Sequence, residues 1–184
     1  MKNIIPFLIL LLPLVSLAVN PKVVFETNKG KIVVEVYSDK ALITAKNFLT
    51  YVDEKFYDGT IFHRIVPGFV IQGGGMAADL KEKANHAPIK NEADNGLSNL
   101  KGTLCMARTG DPHSATSQFF INLVDNQRLD FKDKGSGWGY CVFGKVLEGM
   151  DVVDAIAKVP TTTVGKLQGV PVDPVTVTKA YRKK

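Results

Sequence analysis

The chain has 184 residues, 45% apolar and 22% charged, which suits one domain with its own core and excludes a disordered or low-complexity sequence. Its formal charge of +5 is spread among acids, as in Lys81-Glu82-Lys83 and Lys132-Asp133-Lys134. No arginine-rich or aromatic-interleaved stripe occurs, which argues against nucleic acid as a partner.

At the N-terminus, Lys2 precedes an apolar run from Ile4 to Val15 and then Ser16-Leu17-Ala18, the small-x-small pattern of a signal-peptidase site. The run is too short to span a bilayer comfortably. Residues 1–18 are therefore expected to be a signal peptide cleaved after Ala18, leaving residues 19–184 as an exported domain with no stable membrane association. Pro6 and Pro13 leave an uncleaved anchor as the alternative. In an oxidising compartment Cys105 and Cys141 either form one disulfide or remain buried thiols in apolar strands.

Residues 22–37 alternate on both sides of Asn28-Lys29-Gly30, the pattern of a β-hairpin. Ala45, Phe48, Leu49 and Val52 follow at i, i+3, i+4 and i+7, which predicts an amphipathic helix of about four turns capped near Ser38-Asp39. A second hairpin, FHRIVPGFVIQGGG over residues 62–75, turns at Pro67-Gly68. Its polar exceptions are Arg64 and Gln72. Strand alternation puts Phe62 and Arg64 on one face, and Val70 and Gln72 on one face, of the respective strands. The arginine and glutamine either border a hydrophobic patch fit for a small apolar group with one polar handle, or are simply solvated.

Residues 77–99 are polar and loop-like, a length that carries function or wraps the domain. Thr103–Ala107, Ser117–Leu123 and Tyr140–Val146 read as strands, Met150, Val153, Ile156 and Ala157 mark a second helix, and Val175–Tyr181 a last strand. Many short strands with two helices and no βαβ rhythm predict a mainly β, closed antiparallel barrel.

The usual chemistries find little support. No Gly-x-Ser-x-Gly occurs, and Asp111, His113 and Ser114 are neighbours whose side chains diverge. The three histidines and two cysteines lack metal-ligand spacing, so no metal is expected. Gly73-Gly74-Gly75 lacks the lysine and Ser/Thr of a phosphate loop, and backbone crowding or a turn explains it better.

The run FHRIVPGFVIQGGG, followed by GTLCMAR (102–108), SQFFINL (117–123), LDF (129–131) and CVFGKVLEGMDVVD (141–154), resembles the cyclophilin family of peptidyl-prolyl cis-trans isomerases. PIKNEADNGL (88–97) with ATSQFFINL looks like its bacterial exported branch. The resemblance covers nearly the whole mature chain. It implies an eight-stranded antiparallel barrel with two helices, a groove on its outer face for proline-containing polypeptides, no cofactor and a periplasmic or otherwise exported location; a monomer is expected.

By the same resemblance, Arg64 matches the catalytic arginine and Gln72 the glutamine beside it. Phe69 and Phe120 match the aromatic walls of the proline pocket, and Leu129 its floor. Met106, Ala107 and Arg108 fall where backbone groups hold the residue before proline, and Gln118 falls in the Ser-Gln-Phe-Phe signature. Val70, Arg128 and Tyr140 depart from the best-known eukaryotic pattern of methionine, tryptophan and histidine, which implies weak cyclosporin binding. A non-catalytic protein that uses the groove only to hold proline segments is the competing reading.

Overall fold

In the computed structural model, which describes residues 20–135 and 137–183, period-2 alternation governs the sheet. Strands β1 (Lys22–Thr27) and β2 (Gly30–Val36) form the expected hairpin, and Val23, Phe25, Ile32 and Val34 point into the core. Strands β3 (Arg64–Val66) and β4 (Val70–Gly73) form the second hairpin, and β5 (Thr103–Met106), β6 (Phe119–Asn122) and β7 (Val142–Glu148) complete the central ladder. A further hairpin, β8 (Thr161–Val164) with β9 (Leu167–Pro171), forms a separate two-stranded sheet, and β10 (Val177–Lys183) pairs with β1. The eight-stranded sheet runs β10-β1-β2-β7-β5-β6-β4-β3, antiparallel throughout.

The expectation of a closed barrel is corrected: the sheet is an open half-barrel. β3 and β10 form no ladder with each other; the seam rests on the isolated bridge Ile61–Thr176 and on hydrogen bonds such as Phe62 N to Val175 O (2.9 Å) and Val177 N to Thr60 O (2.8 Å). Apart from Val177, the first residue of β10, these residues precede the two strands, so closure is made largely by irregular backbone.

Helix α1 (Leu42–Asp53) lays Ala45, Phe48, Leu49 and Val52 on the core, as their spacing requires. It is a turn shorter than expected and starts beyond Ser38-Asp39, which sit in a turn where Lys40 N and Ala41 N bond Tyr37 O. Its first amides instead bond the carboxylate of Glu92: Ile43 N at 3.1 Å and Thr44 N at 2.8 Å. A carboxylate there satisfies orphan N–H donors and complements the positive helix end. The 77–99 segment thus wraps the domain, with His86 N bonded to Tyr51 Oη at 2.8 Å and its ring stacked 4.5 Å from that of Tyr51. Helix α2 (Met150–Ile156) buries Val153 and Ile156 as expected.

One further sequence reading is corrected, and one element was not foreseen. Phe62 does not share the face of Arg64: the strand begins only at Arg64, and the irregular backbone before it lets Phe62 turn inward against Phe119, 6.2 Å between centroids. The β8–β9 hairpin has no apolar alternation to reveal it, since every residue of β8 is exposed. Its register places Gly169 against β3, where a Cβ would lie 2.5 Å from Ile65 O. Among the described residues no helix is long and apolar enough to cross a membrane, and residues 1–18, with the expected signal peptide, lie outside them.

Candidate active site

The central strands are apolar on both faces, so one sheet carries two apolar clusters. Ile71, Leu104, Met106, Phe119, Ile121 and Phe143 face the interior; Val70, Cys105, Phe120 and Val142 face outward. The outer cluster is covered only in part, by half-buried Phe69, Leu129 and Tyr140 among others. Register aligns a row across five strands: Arg64 opposes Gln72, Gln72 opposes Phe120, Phe120 opposes Cys105, and Cys105 opposes Val142. The row passes from cation through amide to apolar ring.

A cavity of about 170 Å³ opens over this row, lined by Arg64, Phe69, Val70, Gln72, Ala107, Arg108, Phe120, Leu129 and Tyr140. That brings together all the sequence-predicted site residues except Met106 and Gln118. The resemblance assigns Met106 a backbone role only; alternation sends its side chain into the core, and its N bonds Cys141 O. Gln118 lines an adjoining cavity of about 230 Å³ with Gln72, Ala107 and Arg108.

Polar contacts fix the row's orientation. Arg64 Nη1 donates to Gln72 Oε1 at a long 3.4 Å, and Gln72 Nε2 donates to Gln118 Oε1 at 3.0 Å. With both ends of its amide engaged, Gln72 orients the guanidinium. The glycine run makes this possible by crowding: a Cβ on Gly75 would lie 2.4 Å from Gln118 Cγ, and one on Gly74, at φ +81°, 2.8 Å from the Phe119 ring.

The floor is held from behind. Asn126 Nδ2 donates to Phe69 O (3.0 Å) and Asn122 Oδ1 (2.8 Å), while Leu129 N bonds Asn126 O. Asp130 accepts from Ser98 Oγ, Asn99 N and Asn99 Nδ2. Asn122 was legible as a polar exception in an apolar run, in the way Arg64 was, but was not singled out; Asn126, inside the polar run Asp125-Asn126-Gln127-Arg128, carried no such signal. Beside Arg64, His63 is 4% exposed with Nδ1 unpartnered, and burial, aided by the Arg64 charge, lowers its pKa to about 4. It is therefore neutral at ordinary pH.

Cys105 and Cys141 are free, buried thiols on opposite faces of the sheet, so the disulfide alternative falls. Burial pushes both thiols up, Cys141 to about 12, which leaves them protonated and unreactive. His113 Nδ1 accepts from Asn91 N, whereas Ser114 Oγ donates to Asp111 O, so the neighbours Asp111, His113 and Ser114 form no relay. The site offers a hydrogen-bond donor, apolar walls and no activated nucleophile.

Residues 22–182 match the family described as "Cyclophilin type peptidyl-prolyl cis-trans isomerase/CLD". A relative from Acinetobacter baylyi, named "Peptidyl-prolyl cis-trans isomerase", is 58% identical over 158 residues, 86% of this chain and 83% of its own length. "Peptidyl-prolyl cis-trans isomerase B" of Escherichia coli K12 is 56% identical over 156 residues, 84% of this chain and 95% of the relative. In fold, the chain resembles a crystallised Cryptosporidium parvum cyclophilin-type isomerase with a TM-score of 0.73 at 24% identity, over 90% of this chain and 98% of the other. The same parasite protein was also crystallised in the presence of the dipeptide Ala-Pro.

Proposed function

This chain belongs to the cyclophilin family and is a peptidyl-prolyl cis-trans isomerase, and from that premise we propose that Arg64 lowers the rotation barrier of Xaa-Pro bonds in exported polypeptides, assisting their folding. The observation that carries the mechanism is the guanidinium held by Gln72 at the edge of a cavity walled by Phe69, Phe120 and Leu129.

Amide resonance gives the bond a barrier of roughly 18–20 kcal/mol. Before proline, cis and trans lie close in energy yet exchange over tens to hundreds of seconds, so the reaction needs barrier lowering and no driving force. As the bond twists, the prolyl nitrogen pyramidalises and regains its lone pair. A guanidinium N–H aimed at that nitrogen bonds the twisted state far better than the planar amide, which is selective transition-state stabilisation. A hydrogen bond from a charged donor is worth roughly 1.5–3 kcal/mol, or about one to two powers of ten in rate. The apolar walls supply a second effect: they grip the proline ring and disfavour the charge-separated planar amide relative to the twisted one.

The proposal extends to the setting of the enzyme. The leader-like residues 1–18 support a periplasmic or otherwise exported enzyme without stable membrane association after cleavage. Arg128 in place of tryptophan supports weak cyclosporin binding. In a protease-coupled assay on an Ala-Pro peptide, Arg64→Ala is expected to lower kcat/KM at least tenfold with an unchanged circular dichroism spectrum. An unchanged kcat/KM in the folded variant would remove Arg64 from this role. Undiminished suppression of client aggregation by the same variant would favour the holding function over catalysis in the cell.

A further inference from the structure

The cavity that receives proline is ringed by cations. Arg64 and Arg108 line it, and the Arg128 guanidinium lies 4.7 Å from the centroid of Phe69, one of its walls. Arg108 stacks 4.6 Å from the centroid of Tyr140 and is held there by bonds from Nε to Gly139 O (3.0 Å) and from Nη1 to Thr109 O (2.9 Å). Stacking on an aromatic face leaves a guanidinium's in-plane donors directed outward. None of the ion pairs among the described residues involves these three arginines. No carboxylate lines the cavity. Asp130, next to Leu129, has both oxygens taken by Ser98 and Asn99, and Glu82 lies in the adjoining cavities, one of which also holds Lys166.

We infer that Arg108 and Arg128 are specificity-determining residues that select polypeptide segments carrying a carboxylate within about two residues of the proline. The inference rests on the isomerase reading of the same cavity. The remaining Nη2 donors of Arg108 and the Arg128 guanidinium, neither in an ion pair among the described residues, suit a carboxylate and penalise a lysine at the same place. An exposed pair of this kind is worth about 1.5- to fivefold in affinity, so two arginines acting independently give an expected preference of about two- to 25-fold. Salt should erode the preference, because the rim is solvated.

The test uses acetylated, amidated Ala-Pro peptides with Glu, Gln or Lys at positions flanking the dipeptide, with catalysed cis-trans exchange followed by NMR. The expected order is Glu above Gln above Lys, with the Glu/Gln ratio collapsing toward one in 0.5 M NaCl, roughly a 4 Å screening length. In an Arg108→Gln/Arg128→Gln double variant with unchanged circular dichroism, that ratio should approach one at low salt as well. Equal rates for Glu and Gln peptides on the unaltered chain, or a ratio that survives in the double variant, would overturn the inference while leaving the isomerase reading intact. Failure to catalyse exchange of any peptide would instead remove the isomerase reading, and this inference with it.

Discussion

Phe119 and Phe120 are neighbours on one strand and live in different solvents. Phe119 lies among Phe25, Phe48, Tyr57 and Phe62 at centroid separations of 5.4 to 6.2 Å, a ring packed on every side. Phe120 is almost as buried, at 4% exposure, yet it packs in the small outer cluster with Val70, Cys105 and Val142, meets Tyr140 at 5.6 Å and borders an open cavity. Burial alone does not distinguish a residue that holds the fold from one that meets substrate. The distinction lies in whether the second side of the ring has a protein partner.

That contrast breaks most readily at the rings themselves. Phe119→Ala should cost about 3–5 kcal/mol in urea denaturation, as expected for a large cavity in a closed aromatic cluster. The folded fraction should keep kcat/KM within a few-fold. Phe120→Ala should cost roughly 1–3 kcal/mol, because its void merges with a cavity already present, while kcat/KM falls at least tenfold. If both variants lose stability and activity in equal proportion, the two faces are not separate in function.

His63 stands on the boundary between the two regions, buried like the interior and beside the groove's arginine. The unfolded chain takes up a proton near pH 6.5 that the folded chain refuses until about pH 4. Stability should therefore be full above pH 6.5 and fall as pH drops toward 4, by about 2–3 kcal/mol between pH 7 and 4.5 from this group. Subtracting the profile of His63→Leu, which has no titrating ring, isolates that component. A difference profile flat over this window would show that the ring is hydrated.

The smallest effect sharpens the groove side alone. Gly75→Ala pushes a Cβ into Gln118, so Gln72 loses its anchor and Arg64 its orientation. An expected two- to fivefold loss of kcat/KM with the melting temperature nearly unchanged corresponds to about one neutral hydrogen bond. Full activity would mean that Gln72 holds Arg64 without help.

Much of this was legible because alternation is a local signal. Val70, Ile71 and Gln72, or Leu104, Cys105 and Met106, assign their faces from sequence alone once the strands are found, and a resemblance supplied the roles of Arg64, Gln72, Phe69 and Phe120. Three features were not legible for a common reason. The start of α1 is set by Glu92, a partner 48 residues from Thr44. The inward turn of Phe62 comes from irregular backbone at the seam, and β8 has no buried face to show a period. The stacking of Arg108 and Arg128 on Tyr140 and Phe69 likewise depends on the fold bringing separate segments together. Pattern reports what a residue's own element does, and these positions answer to another.

The β1–β10 ladder sets Lys22 opposite Lys183, so the backbone enters and leaves the described domain at one corner. Loop closure between points so close needs only a short bridge and costs little entropy. A circular permutant that joins these ends and opens at Gly165, the exposed tip between β8 and β9, would keep every rung of the eight-stranded ladder. The fold is in that sense a loop with a movable starting point, well suited to being carried as an insert within another chain.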